Sequence, residues 1–524
     1  MELETRQPRT ARWTHLVVIL AVCAGVRIWL VADAEIIARD GTIYVQMARD
    51  WSQSGWDGIK GQTYHPGYPV SVSWMYAAMN ALFQVDGRAG WEFSGQLVSL
   101  ISNLLTVAGV WCFAGMVFNW RVAFVTALLF GLGRKFAALG ADVLSDSLAL
   151  CFQIWAAVLA VKVSALLDSR SRKAVLSAGL IGLLGGAAYL VRVEGLVIVV
   201  VSGLLWLRVR RNWTLRAASI VVMLLVCLAC MSPYMLAVGG LTAKKSFSDF
   251  VIIPSYDLSV VASITGGATS SSAVLKFVGQ LSEAMNPVLF FAAVIWLVDA
   301  VVRRPRRSPK SATPGAPRYA GVFIMVGTVG LLAPALIGQY YKHGFMSHRY
   351  LMFPAILISP WAGAGVLLVA RYIGIFIPKA VKLQPLLIEG CVIAVFAVCI
   401  LGNTVKKPLH SGKGYLRQAG LDLAKIAGDQ EKVFFDSGWI LHYAQRRGVL
   451  LDSDRRSFTE IVQQVSAHAA SSKCYLVLSE AALADGFAEI TSTRPALRIE
   501  LIKRVVQQGK SDRSHSVWIY AVGP

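Results

Sequence analysis

The run LVVILAVCAGVRIWLVA, residues 16–32, decides the fold. A helix of this length reaches across the hydrocarbon core of a bilayer. It is long for a signal-peptide core and no small-residue cleavage site follows it, so it reads as a signal anchor. Runs of the same kind recur at about 93–118, 122–138, 143–165, 174–191, 194–207, 217–237, 286–302, 319–339, 350–370 and 385–403. Together they predict an α-helical polytopic membrane protein of about eleven spans. Composition agrees: the chain is 56% hydrophobic and 15% charged, against about 25% charged in an ordinary soluble domain.

The net charge of +21 would suit a nucleic-acid binder, but its distribution excludes that class. With Arg6, Arg9 and Arg12 placed inside, basic clusters fall in alternate loops, as around Arg170, Arg211, Arg307 and Lys379. This is the positive-inside pattern of a protein of the plasma (inner) membrane. An odd number of spans then puts the N-terminus in the cytoplasm and the C-terminus outside. Seven of the eight cysteines lie in or beside apolar runs, and their spacing matches neither a disulfide framework nor a metal site.

Two domains are expected. Residues 1–405 form the membrane domain, with a first outside loop over 33–91 that holds a surface helix from Gly41 to Trp51 and a short interfacial helix from Val70 to Phe83. Residues 406–524 alternate apolar strands (432–436, 448–452, 475–479, 517–522) with helices (415–430, 457–470), which predicts a small extracytoplasmic α/β domain.

Ionisable residues at membrane depth are expensive, so each is a functional suspect. Five groups collect at the outside ends of the spans. Asp40 opens the surface helix in Arg39-Asp40-Gly41-Thr42-Ile43-Tyr44, where capping and catalysis are both open to it. His65 lies in the turn Tyr64-His65-Pro66-Gly67-Tyr68-Pro69. Asp142 and Asp146, four apart, are expected on one helix face. Arg192 and Glu194, two apart, do not face each other on a helix, so each needs another partner, and Asp146 or Asp40 would suit Arg192. Lys342, His348, Arg349 and Tyr350 enter a late span, where an arginine could bind phosphate through its fork of donors or simply anchor at the headgroups. Lys244 is a second basic candidate.

The order of these motifs resembles the polyprenyl-phosphate-sugar-dependent glycosyltransferases of the C-type membrane fold, in particular the family of protein O-mannosyltransferases and lipid A aminoarabinose transferases (glycosyltransferase family 39-like). The resemblance rests on Arg39 to Tyr44, His65 to Pro69, Ala141 to Asp146, Leu190 to Gly195, and Arg349-Tyr350-Leu351 with Pro354. It implies transfer of a hexosyl or pentosyl group from a polyprenyl-phosphate donor to a protein, lipid or glycan hydroxyl. Asp40 is then the expected general base, with Asp146 as the second catalytic candidate. Arg349 is the expected phosphate ligand, with Lys342 or Lys244 in its place if it is not. Tyr44, His65, Asp142, Arg192, Glu194, His348 and Tyr350 line the expected site. A divalent metal is left open, and no other cofactor is implied. The main rival is a transporter or flippase of a lipid-linked substrate, which would hold its charges near mid-membrane in broken, repeated helices.

Overall fold

The computed structural model describes residues 9–209, 212–242, 270–302, 317–344, 346–376, 385–428, 431–446, 448–451, 458–469, 472–479, 498–507 and 516–523. The chain divides into two compact units: Met1–Val31 with Met47–Lys406, and Ala32–Gln46 with Lys407–Pro524.

The first unit is helical. It contains α1 (Arg9–Ala32), the second half of α2 (Arg39–Ser54), the short α3 (Trp56–Ile59), α4 (Gly67–Phe83), α5 (Gly87–Val117), α6 (Trp120–Leu132), α7 (Arg134–Ala141), α8 (Asp146–Asp168), α9 (Lys173–Val191), α10 (Val197–Leu207) and α11 (Trp213–Val238). Beyond these come α12 (Ser270–Met285), α13 (Pro287–Val302), α14 (Pro317–His343), α15 (Met352–Phe376) and α16 (Pro385–Val405). Tight 3₁₀ turns precede α10 (Val193–Leu196) and α15 (His348–Leu351).

Among the described residues eight helices are long and apolar enough to cross a membrane, or ten if each of two bent pairs counts as one span. The chain is thus a multi-pass membrane protein. The span expected at 122–138 is broken: α6 and α7 meet at Gly133 with a 66° bend. The helix expected at 286–302 is one limb of a second pair, α12 and α13, bent by 108° beside Pro287. A proline cannot continue the preceding ladder of hydrogen bonds, which accounts for the second break. The stretch expected as a span at 194–207 is short and opens with the 3₁₀ turn. Small residues let neighbouring helices touch: a Cβ on Gly182 of α9 would lie 2.2 Å from the Met223 carbonyl of α11, and one on Gly365 of α15 would lie 1.9 Å from the Ala292 carbonyl of α13.

The second unit is α/β. Its elements are α17 (Gly414–Ile426), β1 (Lys432–Phe435), α18 (Gly438–Ala444), β2 (Gly448–Leu450), α19 (Phe458–Ala469), β3 (Cys474–Leu478), β4 (Arg498–Val506) and β5 (Ser516–Gly523). The five-stranded sheet has the order β2-β1-β3-β5-β4. β1 pairs in parallel with β2 and β3, while β5 is antiparallel to β3 and β4. Every residue of β3 is buried, with alternate side chains in the apolar clusters on the two faces. Sequence reasoning missed β4, because its charges Arg498, Glu500, Lys503 and Arg504 interrupt the apolar pattern on an edge strand.

Ala32–Gln46 is woven into this unit. The Glu35 carboxylate accepts from the backbone N–H groups of Gly412, Lys413 and Gly414 at 2.8–3.0 Å. The Trp439 indole donates to the Ile37 carbonyl at 2.8 Å. The opening of α2, with Asp40 and Tyr44, starts from this braced segment.

Candidate active site

Asp146 is the first residue of α8, and the positive end of a helix favours a carboxylate. Its side chain is 3% exposed and holds two arginines. Arg192 Nη1 donates to Oδ1 at 3.0 Å. Arg349 grips Oδ2 through Nη2 at 2.6 Å and Nε at 3.2 Å. These short charge-assisted bonds are the strong kind. Arg192 ends α9 in an extended conformation, and Arg349 sits in the 3₁₀ turn before α15. Three separate segments therefore bring the cluster together. The Arg192 guanidinium lies over the Tyr350 ring, 5.5 Å from its centre. Gln153 on α8 donates to the Glu194 carbonyl at 3.1 Å and pins the turn. Asp146, Gln153, Arg192, Glu194, Arg349 and Tyr350 line one narrow cavity together with apolar side chains.

Two sequence expectations are corrected here. Arg192 and Glu194 do pair, with Arg192 Nη2 at 3.4 Å from Glu194 Oε1. The helical argument against it fails because this stretch is not α-helical: Arg192 is extended and Glu194 lies in the 3₁₀ turn. Asp142 and Asp146 do not share a helix face. Asp142 is extended, at the end of α7, and its carboxylate accepts from the Val143 N–H at 2.8 Å.

His348 Nδ1 is 3.9 Å from Glu283 Oε1, the oxygen that also binds Lys135 at 2.7 Å. His65 is buried against the Tyr189 and Tyr234 rings and hydrogen-bonds Thr242 at 3.0 Å. Lys342 lies in the last turn of α14, and Lys244 lies outside the described residues. Asp40 is half-buried in the first turn of α2, and Tyr44 is buried one turn later. In this second unit burial, and then the neighbouring Arg39, hold the Lys413 ammonium below its usual range. Among the described residues no group of three or more His, Cys, Asp or Glu side chains is placed to hold a metal ion.

Sequence reasoning missed Lys135, Glu283, Gln153 and Arg27. The signal for Arg27 was present: it is the one charge inside the first apolar run. The others carry no local signature, because their role depends on helices distant in sequence.

Comparison with known proteins gives the geometry a context. Residues 65–236 match the family model of dolichyl-phosphate-mannose-protein mannosyltransferases. That stretch includes His65, Asp142, Asp146, Arg192 and Glu194 and leaves Asp40 and Arg349 outside. No curated protein matches the chain significantly. Among solved structures, ArnT from Cupriavidus metallidurans is similar over 98% of both chains, with a TM-score of 0.55 and 14% identity; it has also been solved bound to undecaprenyl phosphate. The archaeal oligosaccharyltransferase AglB from Archaeoglobus fulgidus, in complex with an inhibitory peptide and a dolichol-phosphate, is similar over 90% of this chain and 70% of its own, with a TM-score of 0.56 and 10% identity. The matched stretch and the shared fold fit the family suspected from the motifs, the C-type membrane-fold glycosyltransferases of the protein O-mannosyltransferase and lipid A aminoarabinose transferase kind.

Proposed function

We propose that this chain moves a sugar from a polyprenyl-phosphate donor to an acceptor hydroxyl at the extracytoplasmic face of the membrane. The observation that carries it is the pair of arginines converging on Asp146 at the N-terminus of α8. A phosphate monoester offers the same kind of acceptor oxygens as a carboxylate, and an arginine fork suits both. As the sugar leaves, the bond from the anomeric carbon to the phosphate oxygen breaks and negative charge grows on the phosphate. Arg349, with Arg192 beside it, stabilises that charge, and Asp146 keeps the two guanidiniums aimed before the donor arrives. The acceptor oxygen attacks the anomeric carbon from the opposite side, which inverts it. Its proton passes to a carboxylate base, and Asp40, the acid of the family's first motif, is that base.

A transporter would suit the two bent helix pairs, but the Asp146 cluster lies at helix ends. The deciding assay incubates membranes containing the protein with radiolabelled polyprenyl-phosphate sugars, with and without chelator. Label is expected to appear in an acceptor fraction as free polyprenyl phosphate accumulates. Movement of intact donor across vesicles with no transfer would make the chain a transporter.

The orientation has its own test. A reporter fused after Pro524 is expected to be active only outside the cytoplasm, and one inserted in the basic stretch 303–318 only inside. The opposite result at either position overturns the topology.

A further inference from the structure

Arg27 is fully buried within α1, and among the described residues no carboxylate lies within ion-pair distance of it. Its guanidinium is held by neutral groups alone. Nε donates to Asn103 Oδ1 on α5 at 2.7 Å, Nη1 to the Cys23 carbonyl at 2.8 Å, and Nη2 to the Gly131 carbonyl at 2.9 Å. Gly131 precedes the bend at Gly133, where a straight helix would have paired that carbonyl with its own backbone.

The bond to Asn103 fixes which way its amide points: Oδ1 faces Arg27, so Nδ2 faces the other side. There Nδ2 donates to the Phe136 carbonyl of α7 at 3.1 Å and to Ser147 Oγ at 3.2 Å. The Ser147 hydroxyl in turn donates to the Leu139 carbonyl at 2.8 Å. Ser147 directly follows Asp146. The packing makes room for this knot: a Cβ on Gly131 would stand 2.7 Å from Cys23 Sγ, and one on Gly140 would stand 2.6 Å from the Asn103 side chain.

An unpaired guanidinium inside a membrane helix is costly, and a leucine would fill the space without that cost. What leucine could not do is orient Asn103. We infer that Arg27 is a positioning residue, which through Asn103 and Ser147 fixes the first turn of α8 and so the aim of Asp146 at its two arginines. The inference rests on the proposed role of Asp146 in aiming Arg192 and Arg349 at the departing phosphate.

Three variants test it in the full-length protein, with Arg349→Ala as the reference for loss of the site itself. Arg27→Lys keeps the charge and loses the fork. Asn103→Asp gives Arg27 a counter-ion but removes the amide that donates to Phe136 and Ser147. Ser147→Ala removes the last link. Each is expected to speed amide hydrogen exchange at residues 143–149 and to lower kcat by up to about 100-fold with donor KM unchanged. In Asn103→Asp the loss is expected although Arg27 has gained a counter-ion, which separates the orienting of Ser147 from simple neutralisation of the buried charge. Unchanged exchange, or faster exchange with wild-type kcat, in variants whose Arg349→Ala counterpart is inactive overturns the inference while sparing the proposed function. Wild-type activity in Arg349→Ala itself would take the phosphate role away from the Asp146 cluster and move it to Lys342 or Lys244; exchange at residues 143–149 still decides the Arg27 network in that case.

Discussion

Arg349→Ala is expected to lower donor use, read as kcat/KM, by about 10²–10³-fold in a protein that remains folded. The folding half of this expectation follows from the shared carboxylate. Asp146 binds Arg192 and Arg349 together, so removing Arg349 leaves it paired to Arg192 at 3.0 Å. Removing Asp146 is different. Two guanidiniums then lose the carboxylate they share, and breaking a buried pair by removing one partner typically costs about 3–5 kcal/mol. Asp146→Ala is therefore expected to lower the thermal midpoint more than Arg349→Ala does. The activity half depends on geometry. Arg349→Lys keeps a point charge but cannot reproduce the two bonds by which Nε and Nη2 converge on Oδ2, so it should recover only part of the loss. A folded Arg349→Ala enzyme with wild-type kinetics would reduce the cluster to a structural salt bridge and move the phosphate role to Lys342 or Lys244.

Asp40→Asn is expected to lower turnover by about 10²–10⁴-fold, the usual loss when a general base is removed. The substitution separates the two roles open to Asp40. It sits in the first turn of α2, where a carboxylate suits the helix dipole. Asparagine serves about as well as aspartate at a helix start, so a residue that only shapes the helix would lose little. A base loses its proton acceptor. The measurement is transfer at matched membrane expression, with Asp142→Asn and Asp146→Asn beside it. Near-normal turnover in Asp40→Asn with collapse in Asp146→Asn would show that Asp146 is the essential acid. Near-normal turnover in all three would remove the carboxylate mechanism altogether.

Much of the membrane architecture was legible because hydropathy is a local sum. Asp146–Asp168, Lys173–Val191 and Trp213–Val238 are long apolar runs whatever surrounds them, and the structure has spanning-length helices there. The strands of the C-terminal unit that could be read, β1, β2, β3 and β5, are short apolar runs, and β1, β3 and β5 are largely buried in the sheet. The breaks were harder. Gly133 lies in an otherwise apolar stretch, and glycine there permits a bend without requiring one; the pull on the Gly131 carbonyl comes from Arg27, more than a hundred residues away.

The sequence by itself thus determined the membrane class, the approximate spans, the α/β character of the tail and the short set of charged residues that had to be explained. It could do so because each of these depends on neighbours along the chain. Only the tertiary structure decided which charge meets which. Asp146 and Arg349 are separated by 203 positions, and nothing local distinguishes that pairing from Asp146 with Lys342 or Arg192 with Asp40. Arg192 and Glu194 meet because the backbone leaves the α-helix between them, and Asp142 turns from Asp146 because the chain is extended before α8 begins. Ala32–Gln46 joins the C-terminal unit through a carboxylate bound by three backbone N–H groups, a partner set that no side-chain pattern announces. Pairing of this kind is settled by helix packing and by the backbone groups that bends and turns leave without a local partner, and both are properties of the folded chain.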